Sequence, residues 1–259
     1  MSGSIRVERS GSVATIIIDN VAKRNALDQA MWIALGDSVL ELSRDDSLRC
    51  LVLRGAGTEA FGSGADIEEF EKLRADKDQA IAFARHGHRA MHAIRDCPVP
   101  TLAAIRGVCV GGGFELAAFC DLRICSDNAR FGIPIARLGA TLAHAELEGL
   151  MRIAGPVTAL ELLLEGRILG AQEAYEKGLV NRVVPADRFD EEIAAAVERI
   201  TSNAPLSARW HKKFVEQLRR GVTLSKQDLA EGYACFDTED YRIGCRAFLE
   251  KHRPQFIGK

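Results

Sequence analysis

The sequence lacks a large excess of charge of one sign. Its 34 Lys and Arg residues against 36 Asp and Glu residues leave a formal net charge of -2. Both signs are spread along the chain, so it has no field that would concentrate a nucleic acid or an anionic membrane surface. We therefore expect neither nucleic acid nor membrane as a partner, but small molecules and copies of this chain.

Long apolar runs are also missing. No stretch reaches the roughly 20 uncharged apolar residues that span a bilayer, and the opening MSGSIRVERS has no apolar stretch of the signal-peptide type. The seven cysteines are odd in number and contain no C-x-x-C pair. Such cysteines are typical of small buried hydrophobes in a reducing compartment, which predicts a cytoplasmic protein without structural zinc or disulfides.

What the sequence does contain is an alternation of strand and helix patterns. Apolar and polar residues alternate around Ser10-Gly11, which predicts an opening hairpin, and Asp28 is the predicted N-cap of the first helix. The following elements are predicted as a strand at 50–53, a helix at 78–95, a strand at 101–105, a helix at 112–119 and a strand at 122–125. This order favours an α/β domain on a largely parallel sheet.

Strand patterns stop after about residue 187. Helical patterns then follow over 188–201, 206–220, 224–236 and 240–251. We expect a core domain at 1–187 and a helical C-terminal region at 188–259.

One glycine-rich segment matches the residue pattern of a nucleotide-binding motif. GAGTEA at 55–60 matches the dinucleotide fingerprint G-x-G-x-x-A. That fingerprint must open a helix, yet FGSG follows at once, and glycines are poor helix formers. We predict a loop here and no nicotinamide site.

A second glycine run, Gly111-Gly112-Gly113, ends a predicted strand and opens the helix at 112–119. The first turn of a helix leaves N–H groups free and carries partial positive charge, which suits an anion or oxyanion. Glu115 follows about 4.5 Å along the helix axis from Gly112, on nearly the same face. The alternative interpretation is that the glycines only permit tight packing and that Glu115 complements the helix dipole.

A further loop of small residues favours the oxyanion interpretation. AFGSGADI at 60–67 again places small residues between a strand and a predicted helix start. Two such loops at the carboxyl ends of strands could face one ligand, because open α/β sheets bind ligands at that edge.

These two segments resemble a known family. AFGSGADIEEF at 60–70 and GVCVGGGFELAAFCDLRI at 107–124 resemble the signature segments of the crotonase (enoyl-CoA hydratase/isomerase) superfamily, and flanking matches such as KRNAL at 23–27 and AFLEK at 247–251 extend the resemblance over nearly the whole chain. The resemblance implies a spiral of ββα units with a helical C-terminal region used for trimerisation, often in a dimer of trimers. It also implies an acyl-CoA thioester as substrate, a lyase or isomerase activity, and neither metal nor cofactor beyond the coenzyme A of the substrate.

The resemblance further implies roles for single residues. The amides of Ala65 and Gly112 would form an oxyanion hole, with Glu115 as acid and base. Each fixed donor of this kind is worth about 3–4 kcal/mol of transition-state stabilisation. The expected coenzyme A contacts are Ala26, Ser63, Ala65, Asp66, Ile67 and Gly112, with Lys23 and Arg24 near the phosphates and Lys251 reaching from a neighbouring subunit. For the three cations, the alternative is an ordinary solvated surface charge.

The sequence departs from the family at one position. Family hydratases carry a second glutamate 20 residues after the first, where this chain has Ile135. Isoleucine can neither hold a water nor transfer a proton, so ordinary two-glutamate hydration is not expected. His144 is the predicted helper, because histidine suits proton transfer at neutral pH; its alternative is a solvent-facing residue.

The remaining charged candidates are expected to be structural. Glu146 and Glu148 are predicted to be surface charges. His86, His88 and His92 are predicted to be helix residues without a metal, because residue 86 lies about 160° around a helix from residue 88. Thioester hydrolysis or decarboxylation, and a protein that only binds acyl-CoA, stay open as alternatives. Glu115 argues against pure binding, which needs no acid beside the carbonyl.

Overall fold

The computed structural model describes residues 3–259, except for the side chains of residues 70 and 71. The strands are β1 (Ser4–Ser10), β2 (Val13–Asp19), β3 (Cys50–Gly55), β4 (Ala60–Gly62), β5 (Thr101–Ile105), β6 (Val108–Val110), β7 (Leu122–Ser126), β8 (Arg130–Gly132), β9 (Leu169–Gly170) and β10 (Arg182–Val184). The α-helices are α1 (Gln29–Leu42), α2 (Phe70–Leu73), α3 (Lys77–Asp96), α4 (Gly112–Phe119), α5 (His144–Glu165), α6 (Ala171–Glu176), α7 (Phe189–Thr201), α8 (Pro205–Arg219), α9 (Lys226–Glu231) and α10 (Glu239–Leu249). Short 3-10 turns include Pro134–Leu138.

The strands form two sheets, with orders β1-β2-β3-β5-β7-β10 and β4-β6-β8-β9. In the larger sheet, β1 and β2 are antiparallel and the other neighbours are parallel. In the smaller sheet, β4, β6 and β8 are parallel and β9 is antiparallel to β8.

Successive units of the chain repeat one path through these sheets. Each unit places a strand in the larger sheet, a short strand in the smaller sheet and then helix, as in β3-β4-α3, β5-β6-α4 and β7-β8-α5. This confirms the spiral of ββα units that the resemblance implies. The expectation of one sheet from the sequence patterns was incomplete. Strands of two or three residues are too short to show an alternating pattern.

The helices of the spiral pack on one another around α4. Residues 113–119 of α4 are all buried, and Phe114 packs edge-on against Phe131 of β8 with ring centroids 5.4 Å apart. The predicted N-cap of α1 is also present: the Asp28 carboxylate accepts a hydrogen bond from Met31 N–H at 2.8 Å. The centre of the spiral is therefore a rigid support for the residues at the start of α4.

After β10 the described elements are helical. Helix α7 packs on the larger sheet through Phe189, Ile193 and Ala196. Near the C-terminus, Asp240 is buried and accepts hydrogen bonds from the N–H groups of Ile257 and Gly258 at 2.7 and 2.9 Å. The division into 1–187 and 188–259 stays a prediction. Among the described residues, no helix combines the length and the apolarity needed to cross a membrane.

Candidate active site

The two glycine loops of the sequence meet in space. Strands β4 and β6 are parallel neighbours, so the segments that follow them leave the same edge of the smaller sheet. A Cβ at Gly64 would lie 3.2 Å from the Gly112 nitrogen, and a Cβ at Gly113 would lie 2.2 Å from the Gly62 oxygen. Gly64 also has a φ of +99°, a conformation that favours glycine. This contact between loops explains why both segments are rich in glycine.

The amides of Ala65 and Gly112 are left outside the backbone hydrogen bonds of these loops. Ala65 forms a parallel bridge with Leu27, in which Leu27 N–H donates to Gly64 O at 2.8 Å and Asp66 N–H donates to Leu27 O at 2.9 Å. In such a bridge the Ala65 N–H points away from Leu27. Gly112 is the first residue of α4, where an N–H has no intrahelical acceptor.

Both residues line one cavity of about 290 Å³. Its remaining wall is largely apolar and comes from the segments around β8 and α5. The lining residues are Ser63, Gly64, Ala65, Ile67, Arg74, Val110, Gly111, Gly112, Glu115, Ile133, Pro134, Ile135, Arg137, Leu138, Leu142 and Glu146. An apolar cavity with a few converging polar groups is typical of a small-molecule site.

A larger cavity of about 640 Å³ lies between α8 and the larger sheet. Its acids are Asp121 and Glu216. Asp121 is ion-paired with Lys212 at 2.8 Å and with Arg152 at 3.3 Å, and Glu216 is ion-paired with Arg219 at 2.7 Å. Because these charges already satisfy one another, the smaller cavity is the better candidate for chemistry.

Glu115 faces that smaller cavity from the first turn of α4. The residue is 7% exposed, and burial together with the charge of Glu146 raises the pKa of its carboxyl to about 8, while Arg74 acts in the opposite direction. A carboxyl with this pKa carries a proton near pH 7 and can still release it, as a group that both gives and takes protons must. The structure thus brings together Ala65, Gly112 and Glu115, as the sequence predicted.

Glu146 also lines the cavity, so the prediction that it is a surface charge was wrong. It lies in the first turn of α5, and its side chain is 19% exposed. Its Oε2 accepts a hydrogen bond from Ala143 N–H, and its Oε1 lies 3.2 Å from His88 Nε2 on α3. An acid at a helix start usually caps that helix and complements its dipole. Nothing in the local sequence therefore distinguished this one.

Glu148, two residues later, behaves as expected for a structural charge. Its carboxylate is ion-paired with Arg95 at 2.8 Å and with Arg219 at 3.1 Å, and it lies 3.7 Å from His92 Nε2. It is not among the residues that line the cavity. The two acids of α5 therefore have different surroundings.

His144, the predicted helper, is the first residue of α5 and is exposed. It is not among the residues lining the cavity, so its catalytic role stays a prediction. Ile135 does line the cavity, where it contributes apolar surface. The described residues hold no cluster of His, Cys, Asp or Glu suited to a metal ion.

Two arginines of the cavity were not singled out in the sequence. The Arg74 guanidinium lies 4.2 Å from the centroid of the Phe83 ring, and burial lowers its pKa against the opposing charges of Glu146 and Glu115. Arg137 donates a hydrogen bond to Gly166 O at 2.9 Å. Neither stands out in the sequence, because only the packing of α3 and α5 brings them to the cavity.

The predicted coenzyme A contacts cluster at the first loop. Lys23 Nζ lies 2.6 Å from Asp66 and 2.7 Å from Glu68, and these hydrogen bonds raise the pKa of the Lys23 ammonium and lower that of Asp66. Ser63 Oγ donates to Lys23 O at 3.0 Å. The cation at this position is therefore held in place by two carboxylates.

The other predicted contacts differ in exposure. Ala26 is 7% exposed, Ile67 is 64% exposed, and Arg24 is on the surface with a φ of 51°. Lys251 is exposed just after α10, with a φ of 55°. The roles of all these residues in binding coenzyme A stay predictions.

Trp32 of α1 supports the second loop from below. A Cβ at Gly112 would lie 3.0 Å from Cζ2 of the Trp32 indole, which is 3% exposed. The buried indole therefore packs directly against the backbone at Gly112.

Comparisons with known proteins agree with this architecture. The sequence model of the Enoyl-CoA hydratase/isomerase family matches residues 8–259. A crotonyl-CoA hydratase from Syntrophomonas wolfei is 33% identical over 258 residues, which cover 99% of this chain and 98% of that protein. A carnitinyl-CoA dehydratase from Proteus mirabilis is 33% identical, with all of both chains covered.

Among solved structures, an enoyl-CoA hydratase/carnithine racemase from Magnetospirillum magneticum superposes with a TM-score of 0.97 at 44% identity, covering 100% of this chain and 97% of that one. An enoyl-CoA hydratase from Bacillus anthracis superposes with a TM-score of 0.90 at 30% identity, covering 99% of this chain and 100% of that one. On its sequence and its fold alike, the chain belongs to the enoyl-CoA hydratase/isomerase family of acyl-CoA-processing enzymes.

Proposed function

We propose that this enzyme converts acyl-CoA thioesters through an enolate whose oxygen is bound by the amides of Ala65 and Gly112, with Glu115 transferring the proton. The observation that supports this proposal is the convergence of the three groups on one cavity. The two amides come from loops in direct contact, so the distance between the two donors is fixed before substrate binds.

The chemistry of a thioester explains the value of this arrangement. When a proton leaves the α-carbon, or when a nucleophile adds at the β-carbon, an electron pair moves onto the carbonyl oxygen. Preorganised N–H donors stabilise that charge without reorganisation, each by about 3–4 kcal/mol. Glu115, with its pKa near neutrality, can take the α-proton or return it to the α-carbon.

We further propose that coenzyme A lies along the first loop. Ser63 and Ile67 lie at the mouth of the cavity beside Lys23 and Asp66. The relatives named above are a crotonyl-CoA hydratase and a carnitinyl-CoA dehydratase, which supports a coenzyme A thioester here. We propose no separate cofactor.

The helical region at 188–259 is proposed to hold subunits together in a trimer or a dimer of trimers. Large apolar side chains of this region are exposed in the single chain: Val215, Leu218, Leu229, Tyr233, Phe236, Tyr241, Phe248 and Leu249. Burying such side chains in an interface removes apolar surface from water. We place the assembled enzyme in the cytoplasm.

The test is a panel of saturated, 2-enoyl, 3-enoyl and carboxylated acyl-CoA thioesters incubated with the enzyme in heavy water, with product masses as the readout. Addition of solvent, deuterium uptake without addition, and loss of carbon dioxide identify hydration, enolisation or isomerisation, and decarboxylation. Glu115→Gln should abolish the observed reaction, whereas Glu148→Gln, outside the cavity, should keep it. Unchanged thioesters, or full activity of Glu115→Gln, would overturn the proposal.

A further inference from the structure

We infer that Glu146 is a second catalytic carboxylate, and that it acts on the oxygen of a water while Glu115 acts on the α-carbon of a 2-enoyl thioester. The reaction assigned to the site is thus the reversible addition of water across the 2,3 double bond. This inference rests on the proposed function and adds a residue and a reaction class to it.

The position of the two carboxyl groups is the first support. Glu115 enters the cavity from α4 and Glu146 enters it from α5, and both are lining residues of the same small volume. Ile135, in the turn at Pro134–Leu138, lines the cavity without any polar atom to offer. The acid that this turn does not supply is supplied by the next helix along the chain.

The surroundings of the two carboxyl groups differ, which is the second support. Glu146 accepts a hydrogen bond from Ala143 N–H and lies 3.2 Å from the imidazole of His88. The Ala143 N–H is therefore a hydrogen-bond donor to one Glu146 oxygen, and the His88 ring borders the other. Glu115 is buried, and the charges acting on it are those of Glu146 and Arg74.

Two acids whose environments differ in this way are suited to opposite tasks. The charged and titratable groups around the pair are Arg74 from the segment before α3, His88 from α3, Arg137 from the turn at Pro134–Leu138, and the two acids themselves. Arg74 interacts with both carboxylates. Burial therefore favours a protonated Glu115 before substrate binds.

The steps balance with these two groups and water. As the water oxygen bonds to the β-carbon, one water proton passes to the Glu146 carboxylate, and the π electrons move onto the thioester oxygen at the Ala65 and Gly112 amides. The enolate then collapses, and its α-carbon takes the proton of Glu115. The proton gained by Glu146 replaces the one lost by Glu115, directly or through solvent, and the resting state is restored.

The first experiment compares Glu146→Gln with Glu148→Gln in the hydration of a 2-enoyl-CoA. Glutamine keeps the size of the side chain and an oxygen that can accept from Ala143 N–H, so α5 keeps its start. Loss of a general acid or base lowers turnover by about 100- to 10,000-fold. We expect that loss in kcat for Glu146→Gln with little change in KM, and wild-type kinetics for Glu148→Gln.

The second experiment separates a chemical role from a structural one. A saturated acyl-CoA in heavy water exchanges its α-hydrogen in three steps. Glu115 takes the α-proton, its carboxyl exchanges that proton for deuterium from the solvent, and the deuteron returns to the α-carbon. No water attacks the substrate in this reaction. Glu146→Gln should retain this exchange within about threefold, as expected for a group whose acid-base task is not used. Glu115→Gln should lose both reactions.

The pH profile of the exchange adds a readout that mere support of α5 would not move. Exchange requires ionised Glu115, whose pKa of about 8 includes repulsion from Glu146. Because Glu146→Gln removes that repulsion, the pKa of Glu115 should fall, and the exchange rate should begin to increase at a lower pH than in the wild type.

The outcomes distinguish this inference from the function on which it rests. Hydration at the wild-type rate by Glu146→Gln, or loss of hydration and exchange together, would overturn the role of Glu146 and leave that of Glu115 intact. A wild-type enzyme that neither hydrates nor exchanges any thioester would overturn both.

Discussion

The centre of the spiral and the C-terminal helices bury their side chains to very different degrees. Every residue of α4 from 113 to 119 is buried, whereas α8, nearly twice as long, has no buried residue. Phe248 and Leu249 at the end of α10 are 84% and 80% exposed. Helix α4 buries its apolar surface within one chain, whereas α8 and the end of α10 leave apolar side chains exposed.

This difference indicates how well each region should tolerate substitutions. At the centre, backbone atoms of different loops touch, so added atoms cannot be absorbed and geometry is tightly specified. In the C-terminal region, where many side chains are exposed, we expect substitutions to change the surface of the chain more than its fold. The predictions below test this contrast, beginning with the largest effect.

Among the substitutions that test this contrast, Gly64→Ala should have the largest effect on activity. An alanine would be strained at a φ of +99°, and its Cβ would lie 3.2 Å from the Gly112 nitrogen. The two amides would be pushed apart, and misplacements of this kind cost about 100-fold in rate. We expect at least that loss in kcat/KM with an unchanged circular dichroism spectrum.

Gly178→Ala is the matched control for this change. Its φ is +75°, yet nothing lies within 4 Å of an added Cβ, so it reproduces the backbone strain without the crowding. Activity close to wild type in Gly64→Ala would show that the close contact between the two loops is not needed for catalysis.

The second prediction concerns the pH dependence of stability. Folding raises the pKa of Glu115 from 4.5 to about 8, so between these values the folded chain binds a proton that the unfolded chain has released. The stabilising contribution of this proton is complete below about pH 4.5 and is lost as the pH rises toward 8. As the pH rises across this range, the free energy of unfolding of Glu115→Gln should therefore increase relative to that of the wild type, by a few kcal/mol at most.

Urea denaturation at pH 5 and pH 8 measures this change. Glu148→Gln provides the comparison, because Glu148 is paired with Arg95 and Arg219 outside the cavity. A constant difference between Glu115→Gln and the wild type at both pH values would contradict the raised pKa.

The third prediction addresses the C-terminal helices. Phe248→Glu removes an apolar side chain that is 84% exposed in the single chain. Exposed substitutions change folding free energy by about 0.5 kcal/mol or less, so the circular dichroism spectrum should be unchanged. Light scattering should give a smaller molar mass for the Phe248→Glu assembly than for the wild type. Val7→Glu is the control, at a residue 45% exposed on β1, and its assembly should have the wild-type mass. An unchanged mass for Phe248→Glu would place the interface elsewhere.

The smallest effect is expected for Lys23→Gln. The ammonium of Lys23 is already paired with Asp66 and Glu68, and exposed pairs contribute about 0–1 kcal/mol. We expect KM for the acyl-CoA to rise by less than about fivefold with kcat unchanged. Arg24→Gln should behave similarly. A change in kcat would assign Lys23 a task beyond holding the nucleotide end.

Much of the fold was accessible from the sequence because its helices are long and periodic. Helix α4 begins and ends where its pattern predicted, and α3 extends the predicted 78–95 by one residue at each end. The smaller sheet was not accessible, because its strands are two or three residues long and their pairing joins distant segments. Their existence depends on packing and not on local propensity.

The candidate site likewise contains residues that the sequence indicated and one that it did not. Glycine runs at helix starts indicated the two loops, with Gly112 and Glu115, and the family resemblance added the amide of Ala65. Glu146 has no such local signal. Its placement depends on α3 bringing His88 to within 3.2 Å of it, and that contact joins residues far apart in the chain.

The site is also spread along the chain. Its parts lie on successive units, first Ala65, then Gly112 and Glu115, and last Leu142 and Glu146. The cavity is therefore complete only when the units from β4 to α5 are assembled, and local unfolding of α5 would open it to bulk water.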